Sequence, residues 1–261
     1  MSLLGCHMGA SVLRRVATAL WAIYEYVAML AGLLALGLMC LIWLPFAMLL
    51  YVLLPRHSGQ MLGRYVIMLA FRLYLWFLRI FCACRFDLSE LDALPKEQPQ
   101  ILVANHPSLL DAVLIVSRLP NAVCIMKAGL MNNVLLGSAA RLARYIRNDA
   151  PLKMVLSARN ELSENSSIVL FPEGTRTSDF PLGPCTNSAT LISRRTGTPM
   201  QALLIEFNYP YLGKHWPLHR RPMLPLQVKV RLGKRFAVPN DVRAATREME
   251  TYFREELTKF S

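Results

Sequence analysis

The segment 101-ILVANHPSLLDAVLIV-116 sets His106 and Asp111 five residues apart, between one apolar run and another. If a helix begins at Pro107 or Ser108, Asp111 falls in its first turn and its carboxylate can reach back over the N-terminus toward His106. A histidine and a carboxylate so placed suit general-base catalysis. The imidazole takes a proton from an attacking group, and the carboxylate fixes the tautomer and stabilises the imidazolium. The same residues also fit a structural device, because Ser108-x-x-Asp111 before an apolar run has the spacing of a capping box.

A second stretch with chemical potential is 168-IVLFPEGTRTS-178, in which an apolar strand runs into Pro172, Glu173, Gly174, Thr175 and Arg176. Gly174 permits close backbone approach. Thr175 and the backbone N–H groups can donate to phosphate oxygens, and Arg176 supplies a bidentate fork. The alternative is a polar turn ending in a surface arginine.

Together, HPSLLD and FPEGTR match the HxxxxD and FPEGTR motifs of the glycerolipid acyltransferases, and the chain resembles that family over roughly residues 80–235. His106 and Glu173 lie 67 positions apart, in the family's order. The resemblance implies transfer of a fatty acyl group from acyl-CoA or acyl-carrier protein to a lipid hydroxyl, most simply that of lysophosphatidic acid. It implies His106 as general base, Asp111 as its orienting partner, and Glu173, Gly174, Thr175 and Arg176 at the acceptor, with Arg176 on its phosphate. Family members also carry a basic residue between the motifs, for which Arg147 and Lys127 are the candidates. The thioester is already activated, so no enzyme nucleophile is needed, and no GxSxG elbow is present. No resident cofactor or metal is expected, the acyl donor being a co-substrate. Two departures bear on the acceptor. The segment 179-DFPLGPCTNSATLISRR-195 lacks the basic stretch many members carry there, and the fourth motif is reduced to 198-TPMQALLIEFN-208. The loop 211-YLGKHWPLHRRP-222 either shapes an unusual acceptor pocket or lies against lipid headgroups. Other acceptors, a lipid hydrolase that activates water, and a non-catalytic lipid-binding protein of the same fold are the competing readings.

The elements that would hold these residues read as an α/β domain over 85–261 with a mainly parallel sheet covered by helices. Strands are predicted at 101–104, 122–127, 168–171, 201–207 and 227–232, and helices from about Ser108, at 130–144, 151–164 and 186–196, and from Asn240 to Phe260. Residues 95–100 and 208–225 read as loops.

Residues 1–84 read as membrane-embedded and interfacial helices. From Val27 to Leu54 no charged residue occurs in 28 positions. As one helix this run is about 42 Å long, against a hydrocarbon core of roughly 30 Å. It either spans with a tilt or breaks near Gly37 or Pro45 and returns. Basic residues on both sides of it favour the return. In 64-RYVIMLAFRLYLWFLRIF-81, Arg64, Arg72 and Arg79 fall within about 80° of one another on a helix. That pattern predicts an interfacial helix with arginines at the headgroups and large apolar side chains among acyl chains.

The totals agree with a membrane partner. The chain of 261 residues is 54% hydrophobic and carries a net charge of +12. An anionic surface is implied, and no nucleic-acid-reading motif is present, so membrane phospholipid is favoured over nucleic acid. The expected place is the cytoplasmic face of a membrane, the inner one in a bacterium. The six cysteines show no zinc spacing and read as ordinary thiols of a reducing compartment. The start MSLLGC has no basic region or long apolar run before Cys6, so it is not read as a lipoprotein signal.

Overall fold

The computed structural model describes residues 3–95 and 98–259, with side chains described from Leu13 onward except that of Leu136. Lys96 and Glu97 of the expected 95–100 loop, the Cys6 side chain and Phe260 lie outside what is described.

Helix α1 (Leu3–Leu53) runs unbroken through Gly37 and Pro45, so the sequence-predicted break at either position is absent. At 1.5 Å per residue it is about 76 Å long. The chain reverses instead at Leu54–Pro55. Pro55 sits outside helical space (φ −53, ψ 146), and α2 (Arg56–Phe81) starts directly after it. Proline is well suited to this place, where its missing N–H leaves no helical acceptor unpaired. Both helices are long and apolar enough to cross a membrane.

The arginine stripe of α2 differs from expectation. Its three arginines do share a face, but much of that face turns toward protein. Arg64 is 1% exposed. Its guanidinium donates to Ala143 O at 3.0 Å, Asn121 Oδ1 at 2.7 Å, Ser166 Oγ at 3.0 Å and Glu161 Oε2 at 2.6 Å. Arg72 donates through Nε to Ser117 O at 2.7 Å. Of the three, Arg79 alone is left facing outward with its whole guanidinium, while Tyr65, Leu69, Leu73 and Trp76 make the exposed apolar face. A buried charge is tolerated only with such complete pairing.

Among the described residues the sheet has seven strands: β1 (Cys84–Asp87), β2 (Gln100–Ala104), β3 (Ala122–Met126), β4 (Ile146–Arg147), β5 (Ser167–Leu170), β6 (Met200–Phe207) and β7 (Leu226–Phe236). Their order is β1-β7-β6-β2-β5-β3-β4. Neighbours are parallel except β6 and β7, which run antiparallel. The sheet is thus mainly parallel and flanked by helices, as the strand–helix alternation requires. In β2, Leu102 and Ala104 join the core on one face while Ile101 and Val103 join that on the other. Burial on both faces explains why this strand reads as an uninterrupted apolar run.

One face is covered by α1, α2 and α3 (Asp111–Val116), whose apolar residues form a continuous core with the sheet. The other is covered by α6 (Pro151–Ser163), α7 (Ser188–Thr196) and α8 (Val242–Thr258). The expected helix 130–144 is divided into α4 (Ala128–Asn132) and α5 (Val134–Leu142), because Asn133 is extended (φ −68, ψ 130). Helix α8 is capped by Asp241, not Asn240, its carboxylate accepting from the N–H of Arg243 and Ala244. The short strands β1 and β4 carried too few residues to show a period in the sequence.

The register of β2 determines where chemistry can occur. It lies between β5 and β6, with Val103 opposite Leu170 and Ala104 opposite Leu203. The carboxyl ends of three strands therefore open on one edge of the sheet, where parallel sheets offer their binding crevices.

Candidate active site

His106 is separated from the end of β2 by Asn105 alone. Asn105 fixes that exit by bridging to β6: its amide donates to Ile205 O at 2.9 Å and its Oδ1 accepts from Ile205 N at 2.8 Å. The backbone of His106 is then held by the second motif. Its N–H donates to Glu173 Oε1 at 3.0 Å, and its carbonyl accepts from Thr177 N at 2.7 Å.

Glu173 is 8% exposed, and both its oxygens have protein donors. Oε1 also accepts from Thr177 Oγ1 at 2.8 Å, and Oε2 accepts from Gly183 N at 2.8 Å. A Cβ at Gly183 would lie 2.8 Å from Oε2, so glycine is needed for this approach. Glu173 thus clamps the turn that presents His106. The resemblance assigns it to the acceptor; in the fold both its oxygens brace the turn around His106.

The His106 ring is held on two sides. Nδ1 lies 2.7 Å from Asp111 Oδ2. The ring stacks on Phe171, with centroids 4.0 Å apart and planes 18° apart. Asp111 is fully buried at the first position of α3, and the histidine side chain is 20% exposed. The helix begins at Asp111, three or four residues later than expected, because 107–110 form a turn. In that turn Asp111 Oδ2 also accepts from Ser108 N at 2.8 Å, and Ser108 Oγ accepts from Leu110 N at 3.2 Å. Capping and proton chemistry were alternatives in the sequence. In the fold one carboxylate oxygen closes the turn that leads into α3, which itself has no side-chain cap, and faces the imidazole.

Burial pushes the Asp111 carboxyl up to about 6, against the opposing pull of the hydrogen bond and charge of His106. Its Oδ1 has no partner among the described residues. An ionised Asp111 can only accept, so Nδ1 carries the proton and Nε2 keeps the lone pair. The exposed part of the ring is therefore equipped to act as a base.

The rest of the FPEGTR turn is more open. Gly174 has φ +67 and a free space where a Cβ would sit, and Gly174 and Thr175 are exposed. Arg176 is half-buried, and its Nη1 donates to Leu212 O at 2.9 Å and Gly213 O at 3.0 Å. Leu212 O also accepts from Leu109 N at 3.1 Å. The 208–225 loop is thereby fastened to both motifs, with Tyr211 and Leu212 buried. Its far end is tied to α1, where Glu25 Oε1 accepts from Leu224 N at 3.0 Å and Oε2 lies 3.2 Å from Arg221 Nε. These bonds hold the loop beside the two motifs at one end and against α1 at the other.

The two basic candidates between the motifs are not brought equally near. Arg147 is on β4, three strand spacings from β2, about 14 Å. It is exposed and occupied by Asp149 at 2.7 Å and Asn132 at 3.1 Å. Lys127 follows β3, one strand nearer, and is exposed. Three further residues of the site have roles that only the fold reveals. Phe171 opens the second motif as an apolar residue with no visible chemical role, Thr177 follows that motif directly, and Gly183 lies ten residues beyond the carboxylate it meets.

Residues 85–206 match the family model described as Acyltransferase. Over that span, a little under half of its length, the chain is similar to the acyltransferase family. It is 30% identical over 125 residues to a chloroplastic 1-acyl-sn-glycerol-3-phosphate acyltransferase of Brassica napus, covering 44% of this chain and 35% of that one. It is 24% identical over 176 residues to a 1-acyl-sn-glycerol-3-phosphate acyltransferase of Pseudomonas aeruginosa, covering 65% and 66% of the two. The match thus spans about a third of one curated relative's length and 66% of the other's. The crystal structure of PlsC, the 1-acyl-sn-glycerophosphate (LPA) acyltransferase of Thermotoga maritima, superposes with a TM-score of 0.67 at 18% identity, over 90% of this chain and 97% of that one. That likeness shows a shared fold over most of both chains.

Proposed function

We propose that the chain is a membrane-bound O-acyltransferase that moves a fatty acyl group from a thioester, acyl-CoA or acyl-carrier protein, to the hydroxyl of lysophosphatidic acid, giving phosphatidic acid. The observation that carries this reading is the 2.7 Å contact between His106 Nδ1 and the fully buried carboxylate of Asp111, with the ring partly open to solvent. The activity for which both curated relatives are named supports the choice of acceptor.

In this scheme Nε2 of His106 takes the proton of the acceptor hydroxyl as its oxygen attacks the thioester carbonyl. Asp111 stabilises the imidazolium so formed. The tetrahedral intermediate collapses, the C–S bond breaks, and the leaving thiolate takes the proton back from His106. No resident cofactor or metal takes part. Arg176 keeps Nε and Nη2 for the acceptor phosphate while Nη1 holds the loop, and Gly174, Thr175 and Lys127 line the approach. The exposed apolar surface of α1 and α2, including Leu34, Ile42, Val52 and Trp76, supports embedding in lipid. A cytoplasmic face suits the place of thioester donors.

The test is a panel of lysophospholipid acceptors offered to purified chain in vesicles with labelled acyl-CoA and acyl-carrier protein. The reading requires labelled phosphatidic acid as the principal product. Efficient acylation of an acceptor without a phosphomonoester, with lysophosphatidic acid left untouched, contradicts it.

A further inference from the structure

Beyond β6, on the side away from β5, a cleft of about 900 Å³ opens where β1 and β7 meet α1 and the last turn of α2. Its walls include Trp21, Arg79, Arg85, Phe86, Glu206 and Lys229. None of its lining residues belongs to the two motifs around His106.

The charges of the cleft do not cancel. Glu206 is occupied by Arg231. Asp87, also in the wall, accepts from the N–H and hydroxyl of Ser89 and lies 3.7 Å from Lys229 Nζ, which is also 3.7 Å from Glu90. Asn208 is spent on Pro225 O and Gln227 N. Arg79 and Arg85 are exposed, and their guanidiniums have no hydrogen bond or ion pair among the described residues. Two unpaired forks thus face one concavity whose acids already have cationic partners. Such forks match the oxygens of a phosphate.

The cleft also has an apolar border. Trp21 is 45% exposed and packs on Tyr24 with centroids 5.2 Å apart. Tyr24 donates to Phe81 O at 3.1 Å, which joins the two helices at this level. Exposed Ile80 and Phe81 continue from α2, and the uncharged run of α1 begins six residues after Trp21, at Val27. Aromatic and basic side chains at the end of an apolar run mark the headgroup level of a bilayer.

We infer that this cleft is a second lipid site, distinct from the His106 centre, that binds the phosphate of an anionic phospholipid headgroup. Arg79 and Arg85 take the phosphate oxygens, Trp21 packs against the glycerol, and the acyl chains follow the exposed surface of α1 and α2. This rests on the proposal that the helices lie in a membrane.

The experiment uses the full chain in phosphatidylcholine nanodiscs, with phosphatidylglycerol as the probe and bound lipid counted by native mass spectrometry. Wild type is expected to saturate with one phosphatidylglycerol, and equal uptake of phosphatidylcholine overturns the site. Arg79→Gln with Arg85→Gln is expected to weaken binding by about tenfold or more. Arg243→Gln with Arg247→Gln, exposed residues of α8 on the other face of the sheet, removes the same charge and is expected to leave binding intact. Equal weakening by both pairs means general charge attraction and overturns the inference. Displacement by an equal concentration of inorganic phosphate means a free-anion site and overturns the lipid assignment. If wild type fails to enter nanodiscs or bind vesicles at all, the membrane reading fails and the inference with it, an outcome distinct from the others.

Discussion

Glu173 holds His106 by its backbone, through a 3.0 Å bond from the histidine N–H to the glutamate Oε1. Residues 67 positions apart thereby share one rigid turn, closed in the other direction by the bond from Thr177 N to His106 O. The imidazole is aimed by its main chain as well as by Asp111. Positioning of this kind contributes to rate because small displacements of a reacting group are costly.

Replacing Glu173 with Gln turns one acceptor into an NH₂ group among N–H and O–H donors. The variant is expected to lose about 10²-fold in kcat and ~1–3 kcal/mol of stability, with acceptor KM nearly unchanged. Steady-state kinetics and thermal unfolding measure both. A large rise in acceptor KM at constant kcat would instead put Glu173 on the substrate.

The pH profile follows from Asp111. Its protonation removes the negative charge that stabilises the imidazolium, so kcat/KM is expected to fall on the acid side with a midpoint near 6, well above the ordinary 3.8. An acid limb near 4 would show that burial does not control this carboxyl.

The same group acts on stability in the opposite sense to function. Because its folded pKa is raised, the folded chain binds this proton more tightly than the unfolded chain does. The ionised form therefore costs stability, a cost absent below 3.8 and fully present above about 6. Asp111→Asn is expected to be inactive yet more stable than wild type above that pH, by on the order of 1–3 kcal/mol, with the advantage vanishing in acid. Unfolding curves across this range test it.

The two catalytic-strand motifs were legible because their chemistry is local. His106 to Asp111 and Phe171 to Arg176 each span one strand exit, and a parallel register between β2 and β5 brings them together. The main strands were legible as apolar runs for the same reason. What the sequence hid was direction. The spacing of Arg64, Arg72 and Arg79 gives one helix face but not what that face meets, and Arg64 finds Glu161 nearly a hundred residues away. Likewise Pro45 is compatible with a helix whose other bonds carry it, so the reversal fell to Pro55, where no turn of helix is interrupted.

Arg64 and Glu161 form a buried pair at 2.6 Å, 1% and 9% exposed. Glu161→Ala leaves the guanidinium uncompensated and is expected to cost about 3–5 kcal/mol, whereas Arg64→Met with Glu161→Leu is expected to cost far less. Denaturant unfolding in detergent distinguishes the two. Equal losses would mean that the pair itself, not the stranded charge, is what matters.

Arg176→Ala is expected to raise the acceptor KM by about tenfold or more, with a smaller change in kcat. Arg176→Lys, which keeps charge but loses the fork, is expected to recover little of it. An unchanged KM in the alanine variant would take Arg176 out of the phosphate site and leave it only its bonds to Leu212 and Gly213.

The most direct measurement is acyl transfer by His106→Ala in vesicles, with membrane insertion and melting temperature followed in the same sample. Insertion and folding are expected to match wild type while labelled phosphatidic acid falls to background. Wild-type turnover in that variant would contradict the role given to the His106 imidazole.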